Sequence, residues 1–385
     1  MTTEIVITGA ARTPMGAYQG ALSQQTATAL GSAAIRAALD RAGAQAGDVD
    51  EALMGCVLPA GLGQAPARQA ALGAGLPESV PCTTVNKVCG SGMKTVMLAH
   101  DAVLTGSAGI VVAGGMESMS NAPYLLEKAR GGYRMGHGRV ADHMFLDGLE
   151  DAYDKGRSMG TFAEDCAEHY QFTRDAQDGY TLDSLDRAKE AISGGGFAAE
   201  IVALDGVAED EQPARARPEK IPQLKPAFRE GGTVTAATSS SISDGAAALV
   251  LARRDVAEAK GMAPMARILG HASHAQAPAW FTTAPVHAIR KLQDRLGWTS
   301  GDVDLYEINE AFAVVAMAAM RELDIPRDRL NVNGGACALG HPIGCSGARI
   351  LVTLVHALQA QGLKRGIASL CIGGGEATAV AVELV

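Results

Sequence analysis

Two cysteines in this sequence stand beside glycines, in settings that favour thiol chemistry. Cys89 follows an apolar run and precedes Gly-Ser-Gly at 90–92, a turn that opens a predicted helix. The free N–H groups at a helix start carry partial positive charge, which favours a thiolate and hence a nucleophile. Cys371 ends another apolar run, and the glycines at 373–375 leave N–H groups exposed that can stabilise an anion. The alternative for each cysteine is an inert, buried side chain.

A histidine and an asparagine have the side chains that could assist such thiols. His341 lies in a glycine-dense loop at 333–347, where flanking glycines and a proline restrict the direction of its ring. It is a candidate base for a nearby thiol, although a single loop histidine usually has no chemical role. Asn309 stands at the start of a helix predicted at 310–323. There it either caps the helix or fixes a water molecule through its side-chain amide.

Alternating apolar strands and amphipathic helices must position these residues, and this alternation is typical of an α/β fold. The elements of the first part are predicted at 4–8, 26–42, 51–57, 67–72, 91–105 and 110–113. The stretch that follows is rich in loops, with a strand-like run at 200–204, and indicates an insertion. Regular alternation resumes at residue 244.

A faint internal repeat divides the regular part of the chain. Ser91-Gly, a helix, an apolar strand and then Gly114-Gly are matched by Ser346-Gly, a helix, an apolar strand and then Gly373-Gly. The repeat predicts two similar α/β halves packed about a pseudo-twofold axis.

Composition excludes several classes of protein. The chain has 385 residues, is 47% hydrophobic and 19% charged, and carries a formal net charge of −9. The negative charge argues against nucleic-acid binding, and the longest apolar stretches are too short to cross a membrane. The N-terminus shows no export signal, and the seven cysteines are odd in number and widely spaced. These features favour free thiols in a reducing compartment and predict a cytoplasmic protein.

The usual metal and nucleotide motifs are not found in the sequence. No Cys-x-x-Cys pair occurs, and His271 and His274 lack a third ligand nearby in the sequence, so we expect no metal site. The dinucleotide-binding fingerprint and the P-loop are both absent, which argues against nicotinamide and nucleoside-triphosphate cofactors.

Taken together and in this order, four motifs resemble the thiolase family. They are Val-Cys-Gly-Ser-Gly around Cys89, Asn-Glu-Ala-Phe from Asn309, Gly-His-Pro-Ile-Gly around His341 and Cys-Ile-Gly-Gly-Gly from Cys371. The resemblance covers essentially the whole chain and looks closest to the biosynthetic branch, the acetyl-CoA acetyltransferases. It implies a five-layered αβαβα arrangement of two similar halves with an inserted loop domain. The implied units are an N-terminal half at 1–120 and 242–263, a loop domain for coenzyme A binding and oligomerisation at 121–241, and a C-terminal half at 264–385.

The resemblance implies ping-pong acyl transfer, which condenses two acetyl-CoA reversibly to acetoacetyl-CoA and coenzyme A. His341 would take the proton of Cys89, and the thiolate would accept the acyl group. Cys371 would remove an α-proton from the second acetyl-CoA, and His341 with a water held by Asn309 would stabilise the enolate. The N–H groups of Cys89 and Gly373 would form the oxyanion hole. Coenzyme A thioesters are then substrates, and no permanently bound cofactor is expected.

The same resemblance implies the contacts of coenzyme A. Its pantetheine arm would pass six residues, Leu149, Met159, Ser240, Phe281, Ala311 and Phe312. Its phosphates would meet basic residues of the segment 213–229, namely Arg215, Arg217, Lys220, Lys225 and Arg229. Composition alone makes a solvated loop an equal alternative for this segment. The chain departs from the family pattern with Ser158 in place of a histidine and Thr238 in place of an asparagine, which leaves the acyl chain length open.

Other functions and the assembly are also considered. The alternatives are a degradative 3-ketoacyl-CoA thiolase of broader chain length and, more distantly, a non-catalytic thiolase-like subunit that binds acyl-CoA. A decarboxylating ketosynthase would be expected to use two histidines where this chain has Asn309 and Cys371. Family precedent implies a homotetramer with the stretch 121–143 contributing to assembly, and the alternative for that stretch is a surface loop.

Overall fold

The computed structural model describes residues 4–385, and within them ten strands form one continuous sheet. The described residues form twelve strands in all: β1 (Ile5–Arg12), β2 (Gly16–Ala17), β3 (Glu51–Gly55), β4 (Cys82–Val85), β5 (Ile110–Ser118), β6 (Tyr124–Leu126), β7 (Val140–Asp142), β8 (Ser243–Arg253), β9 (Ala266–Ala275), β10 (Leu305–Ile308), β11 (Arg365–Ile372) and β12 (Glu376–Leu384). The order in the sheet is β10-β11-β12-β9-β1-β8-β5-β3-β4, with β2 beside β8, while β6 and β7 form a separate hairpin.

Eleven α-helices connect the strands of residues 4–385. They are α1 (Ala27–Ala42), α2 (Pro66–Gly73), α3 (Ser91–Thr105), α4 (Met159–Tyr170), α5 (Arg174–Ser193), α6 (Glu211–Arg215), α7 (Arg254–Ala259), α8 (Ala284–Leu296), α9 (Ala313–Leu323), α10 (Ala336–Leu339) and α11 (Ser346–Gln361). None of the helices in this described range is long and apolar enough to cross a membrane.

The strands form two groups that are stacked with helices into five layers. A two-residue pairing of β1 with β9 joins the groups, β4-β3-β5-β8-β1 on one side and β9-β12-β11-β10 on the other. Helices α1 and α2 cover the outer face of the first group, α8 and α9 cover the outer face of the second, and α3 and α11 lie between the two groups. This arrangement confirms the predicted αβαβα fold.

Strand residues alternate between two layers of the core. Ile5 and Ile7 of β1 belong to the central cluster between the two groups of strands, while Val6 belongs to the outer cluster beneath α1. Leu249 and Val250 of β8 divide in the same way. Successive strand side chains point to opposite faces, so a strand covered on both faces is apolar throughout.

Close contact between α3 and α11 confirms the predicted repeat, because both helices begin at the Ser-Gly of a repeat copy. A β-carbon at Gly92 would lie 2.8 Å from the backbone nitrogen of Ala348, and one at Gly347 would lie 2.4 Å from that of Met93. Only glycine allows the backbones to approach so closely. The first turns of the two helices therefore meet, and the loops that precede them meet as well.

The insertion predicted after the first alternating segment leaves the sheet at the end of β5. It contains the hairpin β6-β7 and helices α4 to α6, and the chain returns in β8, which is inserted antiparallel between β1 and β5. The strand predicted at 200–204 is wrong, because this run makes only isolated bridges, from Ile201 to Arg12 and from Leu204 to Val207. The domain boundaries remain predictions, and residues 1–3 of the first unit lie outside the described residues.

Candidate active site

Cys89 lies on a strained turn between β4 and α3. The preceding Val88 has φ +46°, a left-handed conformation that is unfavourable for a β-branched residue. Two side chains hold this turn: Asn86 Oδ1 accepts the Val88 N–H at 3.0 Å, and the Ser91 hydroxyl donates to the Val88 carbonyl at 2.7 Å. Strain of this kind persists only where the surrounding structure enforces it. The fold therefore fixes the Cys89 side chain at the start of α3.

The Cys89 thiol is protonated at neutral pH in the resting protein. Burial raises its pKa to about 11, although hydrogen bonds from the N–H groups of Gly373 and of Cys89 itself act in the opposite direction. Proximity to the helix start favours a thiolate but is not sufficient to produce one. A base must remove the proton, and two N–H groups already point at the sulfur.

His341 can act as this base because its tautomer is fixed. The Ser346 hydroxyl donates to the Pro342 carbonyl at 2.9 Å, so its oxygen accepts the hydrogen bond from His341 Nδ1. The proton therefore sits on Nδ1, and Nε2 keeps its lone pair. Nε2 is buried and has no partner among residues 4–385. Burial, assisted by the charge of Arg349, lowers the pKa of His341 to about 3, which keeps the ring neutral.

Cys371 supplies a second buried thiol from the end of β11. Only 1% of its surface is exposed. Burial, with a further contribution from the neighbouring Cys89, raises the pKa of Cys371 well above its usual range. The thiol therefore rests protonated, and its thiolate, once formed, is a strong base.

One narrow cavity brings ten of the eleven predicted site residues together. Its lining includes four of the five predicted catalytic residues: Cys89, His341, Cys371 and Gly373. It also includes all six residues predicted for the pantetheine arm: Leu149, Met159, Ser240, Phe281, Ala311 and Phe312. Val88, Gly148 and Ile343, which the sequence did not single out, complete the lining.

Asn309 does not line the cavity, but it lies buried at the end of β10. Its backbone N–H donates to the Ser369 carbonyl on the neighbouring β11 at 3.0 Å. Both polar atoms of its side chain are buried and find no partner within the described residues. Helix α9 begins at 313 and not at 310 as predicted, with Phe312 as its cap residue. Asn309 is therefore not a helix cap, and its amide is free for other hydrogen bonds.

Two buried carboxylates that the sequence reasoning missed hold the loops of the site. Glu117 accepts N–H groups from Val57, Leu58 and Gly344, the last in the His341 loop, and burial raises its pKa to about 7. Glu310 accepts four hydrogen bonds, from Tyr180, Ser184, Asn331 and Cys337. Glu117 is the only acid of the motif Gly-Gly-Met-Glu, and Glu310 is the only acid of Asn-Glu-Ala-Phe. A single acid within a short apolar motif was the feature of the sequence that could have indicated each residue.

The two departures from the family pattern, Ser158 and Thr238, lie outside the lining of the cavity. Ser158 precedes Met159 and caps α4 without a side-chain hydrogen bond. Thr238 turns its hydroxyl to Thr235, and its carbonyl accepts the Ala313 N–H at 2.9 Å. Neither side chain appears in the cavity lining.

The basic segment is divided between paired and unpaired residues. Arg229 pairs with Glu168 at 3.2 Å, and Arg215 pairs with Glu211 at 2.9 Å. The other three form no ion pair with residues 4–385: Arg217, Lys220 and Lys225. A separate groove lies beside this segment. Its lining includes three of the basic residues and the two serines on either side of Ser240: Arg215, Arg217, Lys220, Ser239 and Ser241.

Comparison with known proteins identifies the family. The sequence matches the thiolase N-terminal domain over residues 5–255 and the thiolase C-terminal domain over residues 262–384. This chain belongs to the thiolase family. Among other thiolases, it is 51% identical to acetyl-CoA acetyltransferase 2 of Arabidopsis thaliana, over 99% of this chain and 97% of that protein. It is 49% identical to acetyl-CoA acetyltransferase of Escherichia coli, over 98% of each chain.

A solved thiolase structure has the same fold. Acat5 thiolase from Ascaris suum, solved in complex with coenzyme A, superposes with a TM-score of 0.95 and 41% sequence identity. The match covers 99% of this chain and all of the other. The family predicted from the four motifs is thus confirmed.

Proposed function

We propose that this thiolase is an acetyl-CoA C-acetyltransferase, which condenses two acetyl-CoA reversibly to acetoacetyl-CoA and coenzyme A. The observation that carries the proposal is the convergence of two protonated thiols and one neutral imidazole on a single narrow cavity. The full-length relatives named acetyl-CoA acetyltransferase support the same reaction. Coenzyme A thioesters are its substrates, and the mechanism needs no bound cofactor.

In the first half-reaction, His341 Nε2 takes the proton of Cys89, and the sulfur attacks the carbonyl carbon of acetyl-CoA. The N–H groups of Cys89 and Gly373, which lower the pKa of the Cys89 thiol, are the donors that stabilise the oxyanion. The bond from the acyl carbon to the coenzyme A sulfur then breaks. Cys371 gives its proton to the leaving thiolate, which leaves acetyl-Cys89, protonated His341 and a Cys371 thiolate.

In the second half-reaction, the Cys371 thiolate removes an α-proton from a second acetyl-CoA. Protonated His341 and a water bound by the Asn309 amide stabilise the enolate oxygen. The enolate carbon attacks the acetyl group, and Cys89 leaves and recovers its proton from His341. Each group ends in its starting protonation state, so the same sequence run backwards cleaves acetoacetyl-CoA with coenzyme A.

The shape of the cavity favours a short acyl group. Bulky side chains narrow it around the sulfur: Leu149, Met159, Phe281, Phe312 and Ile343. The test is intact-protein mass spectrometry after incubation with acyl-CoAs of increasing length. Acetyl transfer that exceeds transfer of medium chains supports the proposal, and acylation only by medium or longer chains would identify a degradative 3-ketoacyl-CoA thiolase.

Coenzyme A binding is proposed to use two surfaces. The pantetheine arm follows Ser240 and Ala311. These two residues are joined by a hydrogen bond from the Ser240 N–H to the Ala311 carbonyl at 3.0 Å. The phosphates meet the unpaired basic residues Arg217, Lys220 and Lys225, because Arg215 and Arg229 are already paired with acids. Exchanging Lys220 and Lys225 for glutamine is expected to raise KM for acetyl-CoA with little change in kcat, and an unchanged KM would exclude this surface.

We also propose a cytoplasmic homotetramer assembled through the hairpin β6-β7, within the loop domain at 121–241 that is inserted in the N-terminal half. The hairpin exposes an unusual number of large apolar side chains: Tyr124, Leu126, Tyr133, Met135 and Val140. Exposed apolar side chains concentrated in one segment are typical of an interface. Light scattering should report four chains for the wild type and fewer for Leu126→Ser with Met135→Ser, and a monomeric wild type would refute the assembly.

A further inference from the structure

A cluster of two histidines and one aspartate lies where the two halves of the fold meet. His100 and Asp101 are on α3, and His271 is on β9, which belongs to the second group of strands. His100 is nine residues beyond the first residue of α3, about 14 Å along the helix axis. The proposed mechanism, which uses the start of this helix, gives these three side chains no role.

The three side chains converge on one point. His100 Nδ1 lies 3.2 Å from Asp101 Oδ1, and His271 Nε2 lies 2.9 Å from the same oxygen. All three ligand atoms lie within 4.8 Å of one another. Both imidazoles are largely buried, while half of the Asp101 side chain is exposed. One side of the cluster therefore faces solvent.

The spacing and the ligand types fit a transition metal. Zinc bonds to imidazole nitrogen and carboxylate oxygen are about 2.0–2.2 Å long, so neighbouring ligands of a tetrahedral site lie about 3.3 Å apart. The separations of 3.2 and 2.9 Å lie slightly below this value, and the two imidazole nitrogens lie within 4.8 Å of each other. Two imidazoles with one carboxylate are donors that suit Zn²⁺ rather than Mg²⁺ or Ca²⁺.

The backbone on both sides of the cluster is well fixed. His271 pairs with Val380 in the centre of the β9-β12 ladder, and Arg295 donates to its carbonyl at 3.0 Å. His100 and Asp101 lie in the last two turns of α3. Ligands on a helix and a strand of the scaffold are held more precisely than ligands on loops.

We propose that His100, Asp101 and His271 bind one Zn²⁺, with water as the fourth ligand on the exposed side. The bound ion would connect α3 of the N-terminal half to β9 of the C-terminal half, far from the cavity of the thiols. Because the ligands meet only in the folded chain, zinc binding stabilises the folded state. No local motif indicates this site, because Asp101 and His271 are 170 residues apart in the sequence.

The test is zinc binding by the full-length protein after removal of metal with a chelator. Calorimetric titration near neutral pH should show one tight equivalent per chain in the Cys89→Ala variant, in which the thiol site is disabled as a competing ligand set. His271→Gln should weaken this equivalent by about 100-fold or more. His274→Gln is the matched control, because it makes the same change on the same strand, beside another histidine, His287, at 4.7 Å between ring centroids. The zinc affinity of this control should equal that of the parent, the Cys89→Ala variant.

Two further measurements separate zinc from the hydrogen bonds that the same side chains form. His271→Gln keeps an N–H donor for Asp101, so its melting temperature without metal should stay close to the parent value, while zinc should raise Tm by about 2–4 °C only in the parent. Co²⁺ in place of Zn²⁺ should give a tetrahedral absorption spectrum without thiolate charge-transfer bands. Equal zinc affinity in His271→Gln and the parent, no tight equivalent at all, or a cobalt spectrum with thiolate bands would each overturn the proposal.

Discussion

The Ser346→Ala exchange tests how the fold prepares the base of the reaction. In the wild type, the Ser346 oxygen accepts the hydrogen bond from His341 Nδ1, because the serine hydroxyl hydrogen is directed at the Pro342 carbonyl, 2.9 Å away. Alanine removes the acceptor. The Nδ1–H group then stays buried without a partner, so the tautomer that leaves Nε2 free becomes less favourable.

The expected loss follows from the cost of an unpaired buried donor. That cost is about 1–3 kcal/mol, which lowers the population of the active tautomer by about 5- to 150-fold. Because Ser346 touches neither coenzyme A nor the thiols in the proposed mechanism, the loss should appear in kcat and in the rate of Cys89 acylation. KM for acetyl-CoA should stay nearly unchanged.

The assay is steady-state thiolysis of acetoacetyl-CoA together with the single-turnover acylation rate. Ser369→Ala is a suitable control, because Ser369 is equally buried and loses one hydrogen bond, at 2.8 Å to the Thr378 carbonyl, without contacting His341. This control should lose less than about threefold in kcat. A folded Ser346→Ala enzyme that acylates Cys89 within twofold of the wild-type rate would refute the role of the fixed tautomer.

Three other predictions concern the loops, the helices and the enolate. Burial raises the pKa of Glu117 to about 7 in the folded state, above its ordinary value of 4.5, so the free energy of unfolding should fall as the pH rises from about 5 to 8. Urea titrations should show a smaller fall in Glu117→Gln, and an equal fall in both proteins would argue against the raised pKa of Glu117. Gly92→Ala places a β-carbon 2.8 Å from the backbone of α11 and should lower the free energy of unfolding, measured in urea, by about 1–3 kcal/mol. A β-carbon at Gly179 would meet nothing within 4 Å, so Gly179→Ala should not lower this free energy, and equal effects of the two exchanges would contradict the close helix contact. Asn309→Ala should slow condensation by about tenfold or more, yet leave the rate of Cys89 acetylation near that of the wild type. Quenched-flow mass spectrometry follows both steps, and an equal decrease in the two rates would contradict the role of Asn309 toward the enolate.

Much of the site could be predicted because its chemistry lies in short motifs. Cys89, His341 and Cys371 each stand beside glycines, and the structure brings all three to one cavity. The α/β class was predictable from the alternation of strands and helices, whereas the five layers were implied by the resemblance to the thiolase family. The repeat of Ser-Gly at two helix starts predicted two similar halves, and the structure shows in addition that these two helices meet.

The parts that were missed depend on contacts between distant segments. No local pattern indicates that Glu117 reaches Gly344, since they are joined only after two groups of strands stack. The start of α9 was placed three residues early, because Phe312 forms a bridge with Ser239 of the inserted segment before the helix begins. Burial, which depends on the whole fold, outweighs the favourable N–H groups at Cys89 and keeps the thiol protonated until His341 acts.

The central claim is that Cys89 carries the acyl group, whereas Cys371 only transfers protons. Intact-protein mass spectrometry after mixing with acetyl-CoA tests it most directly. Wild type and Cys371→Ala should each gain one acetyl group per chain, mapped to Cys89 by peptide analysis, and Cys89→Ala should gain none. Acetylation that persists in Cys89→Ala, or that maps to another residue in the wild type, would contradict the account.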